Sequence, residues 1–509
     1  MLILSAEQIR SADQFTIANE PISSIDLMER AAGKCAEYII TNYKPSSKFI
    51  IVAGHGNNGG DGLVIARLLH KNNFQCKTIL VNPKDNLSAD CKTNKQRLID
   101  TKIPFDEINS IELFNQTFQK IGTDYIIIDA LLGTGLNSPL AGLYKEIVDE
   151  INKRQLEIIS IDLPTGLFTD IYNEPDDSIV KNALVLTFQF PKLAFFMACN
   201  KDYIKDFIVL DIGLLEEFND KVHTPFHFTT IKEILPFIKI RNKFSHKGSH
   251  GHALLIAGSK KYRGAALLSA KSCLRSGAGL LTVHSTNEVL RNIITVLPDA
   301  ILSTDTNNEY ISELPDTKAF DAIGIGPGLG TENATQTVLK KLINYFQGPL
   351  VIDADGLNIL SENKTWISFL PPNTIITPHP KEFDRLTSIH DNDFNRLRSA
   401  INLAIKNNII IVLKGTYTCI INSDGQCFFN STGNAGLAKG GSGDVLTGII
   451  LGLLARGYQA KQAAILGVYL HGAIADKSVQ IQSMESLLPS DLTELIGTTL
   501  KEIETLRIQ

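Results

Sequence analysis

Short, continuous apolar runs alternate along this chain with segments whose apolar residues have helical spacing, and this alternation constrains the fold most. In the first half, the apolar runs span residues 48–53, 77–81, 125–129, 157–162, 183–188 and 207–210. Helical spacing predicts two amphipathic helices within residues 5–43 and further helices over 63–70 and 140–153. Because strands buried on both faces appear as continuous apolar runs, the pattern predicts an α/β fold with a parallel, doubly wound sheet.

The alternation fades between about residues 214 and 245 and then restarts, which predicts a second α/β domain. Its apolar runs span residues 252–257, 280–284, 322–325, 350–355, 374–377 and 409–413. A chain of 509 residues is also too long for one ordinary core. We therefore place the domains at 1–224 and 225–509. Their motifs differ, so the second domain is not a repeat of the first.

Composition and charge limit the class of protein. With 44% hydrophobic and 20% charged residues, the composition is typical of a globular protein. A net charge of -5 gives no basic surface for nucleic acid or an anionic membrane, and no apolar run approaches the roughly 20 residues that a membrane span needs. The seven cysteines form no CxxC pair, so we expect reduced thiols and a cytoplasmic protein.

A glycine-dense stretch at residues 432–444 leads into the apolar run 445–451. This arrangement predicts a turn at a helix N-terminus, where free backbone N–H groups favour a phosphate. Asp444 would repel that phosphate, so we expect it to have another task, such as taking a proton from an attacking hydroxyl. The alternative is a tight structural turn, since glycine clusters are common in turns.

Polar residues follow several predicted strands of the first half. The strand that follows the Gly54–Gly62 segment ends at Asn82, where a ribose-binding acid is expected, so a standard Rossmann NAD site is disfavoured. Asn58, Asp129 and Thr165 instead offer hard oxygen ligands, which suit an alkali or other hard cation. Each of them is equally consistent with a helix cap or a turn residue.

The second half has no GxxxxGK[ST] motif, which excludes a P-loop NTPase. Three predicted strand ends carry groups suited to a nucleotide or another ligand: Gly324–Gly330, His379 and Lys414–Thr418. Each alone is also explained by a turn or a structural histidine. Together with Asp444 at the same edge of one sheet, they predict a phosphoryl-transfer site.

The motifs of the first half resemble those of the NAD(P)H-hydrate epimerase (YjeF N-terminal) domain. They are Gly-Asn-Asn-Gly-Gly-Asp at 56–61, Asp-Ala-Leu-Leu-Gly-Thr-Gly at 129–135 and Asp-Leu-Pro-Thr-Gly at 162–166. The resemblance implies a Rossmann-like doubly wound domain that interconverts the R and S epimers of hydrated NADH and NADPH (NADHX and NADPHX).

The second half is similar to the ADP-dependent NAD(P)H-hydrate dehydratases, whose fold is ribokinase-like. The similarity rests on Tyr-Arg-Gly-Ala-Ala at 262–266, Gly-Pro-Gly-Leu-Gly at 326–330, Thr-Pro-His-Pro-Lys-Glu at 377–382 and Asn-Ala-Gly-Leu-Ala-Lys-Gly-Gly-Ser-Gly-Asp at 434–444. Both resemblances together cover nearly the whole chain, in the order found in bifunctional NAD(P)H-hydrate repair enzymes. They imply that the second domain restores the S epimer to NAD(P)H.

The resemblance also implies the ligand-binding residues. The epimerase substrate would be held by Asn57, Asn58, Gly59, Gly60, Asp61, Gly133, Thr134, Gly135, Leu136, Asn137, Ser138, Pro139 and Asp162, and K⁺ by Asn58, Asp129 and Thr165. The dehydratase substrate would contact Ala265, Gly328, His379 and Asp444, and ADP would contact Lys414, Gly415, Thr416, Tyr417, Thr418 and Gly443. We also expect Mg²⁺ with the nucleotide, and a homo-oligomer.

We hypothesise that Asp444 accepts the C6-hydroxyl proton as that oxygen attacks the terminal phosphate of ADP. Phosphate is a far better leaving group than hydroxide, so its departure completes the dehydration. Asp162 is the proposed acid or base of the first domain; alternatively it only hydrogen-bonds the substrate. A competing hypothesis is a ribokinase-like, ATP-dependent small-molecule kinase whose first half is a non-catalytic ligand-binding module.

Overall fold

A computed structural model describes residues 1–508. The chain divides into two compact units. The N-terminal unit comprises Leu2–Thr224, and the C-terminal unit comprises the chain from Pro225 onward together with Met1. Each unit contains one large sheet flanked by helices. The predicted α/β class is therefore confirmed.

The N-terminal unit contains a seven-stranded sheet in the order β3-β2-β1-β4-β5-β6-β7, and every adjacent pair is parallel. Its strands are β1 Lys48–Ala53, β2 Gln75–Val81, β3 Asp106–Ile108, β4 Tyr125–Ala130, β5 Ile158–Ile161, β6 Ala183–Phe188 and β7 Ile204–Leu210. Its helices are α1 Ala6–Asn19, α2 Ser24–Asn42, α3 Asn57–Lys71, α4 Ala89–Asp100, α5 Ile111–Phe118 and α6 Gly142–Lys153. The strand order reverses between β1 and β4, where doubly wound sheets bind ligands.

One predicted boundary in this unit is wrong. The sequence places the helix after β1 at residues 63–70, but α3 already begins at Asn57. Glycine is a poor helix former, so the Gly54–Gly62 segment resembles a loop in sequence. Tertiary contacts override that preference, because the glycines let the first turn of α3 pack closely against neighbouring backbone. The prediction also lacks α4, β3 and α5, which lie between residues 89 and 118.

The C-terminal unit contains a ten-stranded sheet in the order β11-β10-β9-β12-β13-β14-β15-β16-β17-β8. Its strands are β8 Phe226–Thr229, β9 His252–Ile256, β10 Leu280–Ser285, β11 Ile301–Thr304, β12 Ala322–Ile325, β13 Leu350–Ile352, β14 Ile375–Ile376, β15 Ile410–Leu413, β16 Cys419–Ile421 and β17 Cys427–Asn430. Only the β15–β16 and β16–β17 pairs are antiparallel. The sheet is thus mostly parallel, as predicted, with an antiparallel extension that the sequence analysis did not predict.

The helices of the C-terminal unit cover this sheet. They are α7 Ile231–Ile234, α8 Arg263–Arg275, α9 Asn287–Val296, α10 Asn333–Tyr345, α11 Asp355–Glu362, α12 Pro380–Leu386, α13 Asp393–Asn407, α14 Ser442–Ala455, α15 Ala460–Ser478 and α16 Pro489–Ile508. The helix that follows the glycine-dense stretch, α14, is buried from Val445 to Ala455. A helix that is apolar all round belongs in the core of a large domain.

Two glycines of α14 allow it to pack directly on α8. A Cβ at Gly448 would lie 2.2 Å from the Ser269 carbonyl oxygen, and one at Gly452 would lie 2.4 Å from that of Cys273. No other residue type permits such a close approach of the two backbones. The N-terminus of α14 is therefore held at a fixed position beside the sheet.

Two further predictions from the sequence concern the state of the cysteines and the presence of membrane-spanning helices. All seven cysteines are free thiols, as expected from their spacing. Within residues 1–508, no helix has the length and apolar character needed to cross a membrane.

Candidate active sites

The N-terminal unit has a cavity of about 700 Å³ at the carboxyl ends of its strands. Eight of the residues assigned to the epimerase substrate line it: Asn57, Asn58, Asp61, Gly133, Thr134, Gly135, Leu136 and Asp162. Gly59 and Gly60 do not line it but lie buried within α3. Asn137, Ser138 and Pro139 are exposed farther along the loop and also lie outside the cavity lining.

The glycines of α3 serve close packing. A Cβ at Gly59 would lie only 1.7 Å from the Gly54 carbonyl oxygen, and one at Gly60 would lie 2.7 Å from Sδ of Met28. The Gly54 backbone is itself fixed, because its N–H donates to the carbonyl oxygen of Ala130 at 3.0 Å. The glycine run therefore brings the N-terminus of α3, with Asn57 and Asn58, up to the end of β1.

We expect Gly59→Ala to lower the free energy of unfolding by at least about 1–3 kcal/mol, because the added methyl group must displace backbone. Gly33 offers a matched control, since it lies inside α2 with nothing within 4 Å of an added Cβ. Gly33→Ala should raise the free energy of unfolding by roughly 0.5–1 kcal/mol through helix propensity. Urea titration of both variants measures these changes; equal effects of the two substitutions would contradict the packing role of Gly59.

The three residues assigned to K⁺ lie near the ends of β1, β4 and β5. The Asp129 carboxylate accepts hydrogen bonds from the Thr165 N–H at 2.9 Å, the Thr165 hydroxyl at 2.6 Å and the Ser160 hydroxyl at 2.7 Å. Burial raises the pKa of Asp129 above its ordinary value, with these bonds opposing it. Asn58 lies against Gly133, and its Nδ2 is buried without a hydrogen-bond partner among the described residues.

Asp162 occupies a strained position at the end of β5. Its φ is +66°, in the left-handed region that non-glycine residues rarely adopt. Its carboxylate forms an ion pair with the ammonium group of Lys192, whose side chain is 0% exposed. The Lys192 ammonium also donates to the Thr187 hydroxyl at 2.5 Å. Asp162 is therefore held as the counter-ion of a buried lysine, an arrangement that the sequence analysis did not predict.

In the C-terminal unit, Asp444 lies in the first turn of α14, three residues after the N-cap Gly441. Burial is the main reason that the pKa of Asp444 is raised to about 7. The charges of Asp353 and Asp355 raise it further, and that of Lys414 lowers it. A carboxyl group whose pKa lies near neutral pH is well suited to general-base chemistry.

A charged network lies beside Asp444. The Lys414 ammonium is 3.0 Å from Oδ1 of Asp353 and 3.8 Å from Oε2 of Glu382, while the Thr447 hydroxyl donates to Oδ2 of Asp353 at 2.7 Å. Burial acts to raise the pKa of Asp353, but the Lys414 charge and these hydrogen bonds outweigh it, so the pKa lies below its ordinary value. A Cβ at Gly443 would lie 3.5 Å from both the Asp353 carboxylate and the Lys414 ammonium.

The residues assigned to the dehydratase substrate lie on several elements of the C-terminal unit. Gly328, with φ +60°, packs so closely on α8 that its Cβ would lie 3.1 Å from that of Ala265. One turn along α8, the Ser269 hydroxyl donates to the Asp444 carbonyl oxygen at 2.8 Å. His379 is the N-cap of α12, and its Nδ1 accepts from the Glu382 N–H at 3.2 Å.

The remaining residues assigned to the nucleotide form the turn between β15 and β16. The Gly415 N–H donates to the Thr418 hydroxyl at 3.3 Å, and that hydroxyl donates to the Gly415 carbonyl oxygen at 3.1 Å. Thr416 is exposed at the tip of this turn, and Tyr417 is half-buried. Lys414, at the start of the turn, connects it to the network beside Asp444.

Several charged residues of these sites were not assigned from the sequence. They are Asp13 and Lys192 in the N-terminal unit, and Asp353 and Glu382 in the C-terminal unit. Asp353 directly follows β13, so its position at a strand end was a usable signal. Glu382 ends the Thr-Pro-His-Pro-Lys-Glu motif at 377–382, which was also a usable signal, whereas Asp13 and Lys192 have no comparable sequence signal.

The fold and the two candidate sites together define a two-domain α/β enzyme. Comparison with known proteins identifies the family to which it belongs. A family profile described as YjeF-related protein N-terminus matches residues 24–194, and one described as NAD(P)H-hydrate dehydratase matches residues 253–498. The bifunctional NAD(P)H-hydrate repair enzymes of Moorella thermoacetica and Thermofilum pendens are 30% and 31% identical to the chain, over 99% of its length and 97% of theirs. The chain belongs to the family of bifunctional NAD(P)H-hydrate repair enzymes.

A solved structure matches the C-terminal part. The ADP/ATP-dependent NAD(P)H-hydrate dehydratase from Bacillus subtilis, co-crystallised with ATP and Mg²⁺, is 34% identical, and the match covers 55% of this chain and 99% of that one with a TM-score of 0.49. The family and the order of its two parts, predicted from the sequence motifs, are thus confirmed by the profile matches and full-length relatives.

Proposed function

We propose that the N-terminal unit interconverts the R and S epimers of hydrated NADH and NADPH, and that the C-terminal unit dehydrates the S epimer. The second reaction consumes ADP and releases AMP and phosphate. The observation that carries this proposal is Asp444, a partly buried carboxyl group with a pKa near neutrality at the N-terminus of a buried helix. The family relationship supplies the substrate class.

In the C-terminal unit, Asp444 takes the proton of the C6 hydroxyl while that oxygen attacks the terminal phosphorus of ADP, and the bond from this phosphorus to the bridging oxygen breaks to release AMP. The N-terminus of α14, from Gly441 to Gly443, carries partial positive charge and stabilises the charge that develops on the phosphate oxygens. The Lys414 ammonium adds a full positive charge beside Gly443. The C6–O bond then breaks as the ring-nitrogen lone pair assists, and loss of the C5 proton gives the dihydronicotinamide.

A magnesium ion fits the nucleotide side of this site. Mg²⁺ needs only one or two protein carboxylates when phosphates supply further ligands. Asp353 and Asp355, whose charges both act on Asp444, offer hard oxygen ligands at this position. When bound, the ion would neutralise charge on the phosphates of ADP.

A potassium ion fits the N-terminal unit. The buried Asp129 carboxylate receives hydrogen bonds from neutral groups, so a cation would compensate its charge. The Asn58 side chain, whose amide nitrogen has no hydrogen-bond partner among the described residues, would supply a further oxygen ligand, as would the Thr165 hydroxyl. The ion would order the loop after β4, which carries Gly133 to Leu136 along the cavity.

Free cysteine thiols support a cytoplasmic location for this repair activity. We also propose that the enzyme acts as a homo-oligomer.

Recovery of NADH absorbance from chemically hydrated NADH and ADP tests the function directly. We expect full recovery from a mixture of epimers, with AMP and phosphate formed in equal amounts. Recovery limited to the S fraction would show that only the C-terminal unit is active. A stable phosphorylated product without NADH would favour the alternative of a small-molecule kinase.

Dehydration should depend on pH in a defined direction. Asp444 acts as a base only when it is deprotonated, so kcat should rise as the pH increases through about 7, the pKa to which burial and the Asp353 charge raise this group. The pH–rate profile of the wild type measures this; a profile with no rise through neutral pH would contradict it.

A further inference from the structure

Helix α1 forms one wall of the cavity in the N-terminal unit. Arg10, Asp13, Gln14 and Ile17 all line the cavity, and their spacing of three and four residues places them on one face of the helix. An adjoining face packs into the unit through Ile9, Ala12 and Thr16, which are buried; Ile9 also lines the cavity. Asp13 is the acidic group on the cavity face.

Contacts near both ends fix this wall in place. Ser5 and Gln8 form a capping box, and the Ala6 N–H donates to Oδ2 of Asp170 at 3.2 Å. Near the other end, the Thr16 hydroxyl accepts from the Leu215 N–H at 3.2 Å. Asp13 therefore lies on a rigid element, which a group that transfers protons requires.

The carboxyl group of Asp13 differs from that of Asp162, the acid or base that the sequence suggested. Asp162 is paired with the buried Lys192, whereas Asp13 has no hydrogen bond or ion pair within residues 1–508. Burial raises the pKa of Asp13 to about 7, with the Asp162 charge adding to the rise and the Lys192 charge opposing it. The same acidic surroundings, with burial as the largest cause, raise the pKa of Asp61 far above its ordinary value.

We propose that Asp13 is the catalytic acid and base of epimerisation, a role that deepens the proposed function and rests on it. Protonated Asp13 donates to the C6 hydroxyl; the C6–O bond breaks, water leaves, and the ring-nitrogen lone pair forms a C=N bond. Water then adds to the opposite face of C6, the electron pair returns to nitrogen, and a proton returns to Asp13. Atoms and charge balance, and the anionic Asp162 stabilises the cationic intermediate.

This assignment gives Asp162 a different role from the one predicted. An aspartate that is the counter-ion of a buried lysine is a poor proton donor, because protonation would leave the Lys192 charge buried and unpaired. A fixed negative charge, in contrast, is what a developing cation in a low-dielectric cavity requires.

The test follows conversion of the R epimer to the S epimer by chromatography, with the full chain and without ADP. Asp13→Asn should slow the enzymatic rate roughly 10²–10⁴-fold, the usual contribution of general acid–base catalysis. Glu7→Gln changes an exposed acidic residue of the same helix and should leave the rate unchanged. Dehydration of the pure S epimer with ADP should also stay at the wild-type rate in both variants.

The pH profile separates a chemical role from a structural one. Since the acid form of Asp13 is required, wild-type epimerisation should decline as the pH rises through about 7. The other titratable or charged groups that line the cavity or act on Asp13 are Arg10, His55, Asp61, Asp90, Asp162 and Lys192. Asp13→Glu should keep a declining limb and recover part of the rate, which a merely structural defect would not show.

The outcomes are distinguishable. A wild-type protein that does not accelerate R-to-S conversion above the spontaneous rate would overturn the proposed function of the N-terminal unit. If the wild type is active and the epimerisation rate of Asp13→Asn is within about threefold of the wild-type rate, only the role of Asp13 is overturned, since general acid–base catalysis contributes a far larger rate factor. A wild-type profile that is flat across neutral pH would also overturn it.

Discussion

Asp444→Asn should reduce dehydration of the S epimer by roughly 10²–10⁴-fold, while R-to-S conversion continues at the wild-type rate. Asparagine cannot accept the C6-hydroxyl proton, but it keeps the size of the side chain in the first turn of α14. Single-turnover measurements with ADP and the pure S epimer give the rate of the chemical step. Epimerisation by the same protein is the internal control, because it depends on the other unit.

Nucleotide binding and stability distinguish lost chemistry from lost structure in this variant. ADP affinity, measured by calorimetric titration, should be at least that of the wild type, because one negative charge is removed beside the phosphate site.

Burial raises the folded-state pKa of Asp444, so its contribution to stability is present at low pH and is lost as the pH rises through about 7. Asp444→Asn should therefore be more stable than the wild type at pH values above about 7. Near-wild-type turnover would contradict the assignment of Asp444 as base.

The site residues that could be predicted from the sequence are those located at the carboxyl ends of strands. In a parallel sheet the carboxyl ends of the strands meet at one edge, so residues at the end of β4 and in the loop after β5 come together even though they are distant in sequence. Asp129 and Thr165 are hydrogen-bonded for this reason. The same rule places Lys414, after β15, beside Asp353, after β13.

The groups that the sequence did not reveal owe their chemistry to packing between elements. Asp13 lies on an amphipathic helix and resembles an ordinary solvent-facing residue until α1 is placed over the cavity. Lys192 follows Phe190 and Pro191 in a loop, where a lysine is normally exposed. Its complete burial depends on the end of β6 and the strained backbone of Asp162, and neither has a local sequence signal.

The start of α3 shows how tertiary contacts override a local preference. Four glycines within residues 54–60 predict a loop by propensity. The structure uses Gly59 and Gly60 inside the helix because only a hydrogen fits against Gly54 and Met28. A single sequence carries no information about that close approach.

Lys192→Met should lower the free energy of unfolding of the N-terminal unit by about 3–5 kcal/mol, the usual loss when one partner of a buried ion pair is removed. The Lys192 side chain is 0% exposed and that of Asp162 only 12%, so water cannot replace the ammonium group. The Thr187 hydroxyl would also lose its charged donor. Urea titration with a spectroscopic probe measures the change, and epimerisation should fail with it.

Two further variants make this prediction specific to the buried pair. Lys153→Met removes an exposed lysine that pairs with Glu150 three residues earlier, and we expect no measurable change in stability. Adding Asp162→Asn to Lys192→Met should restore part of the lost stability, because the buried carboxylate no longer lacks a partner. Epimerisation should remain impaired in the double variant, since the negative charge that stabilises the cationic intermediate is absent. A double variant that is as unstable as Lys192→Met would show that lysine packing, and not charge pairing, stabilises this part of the fold.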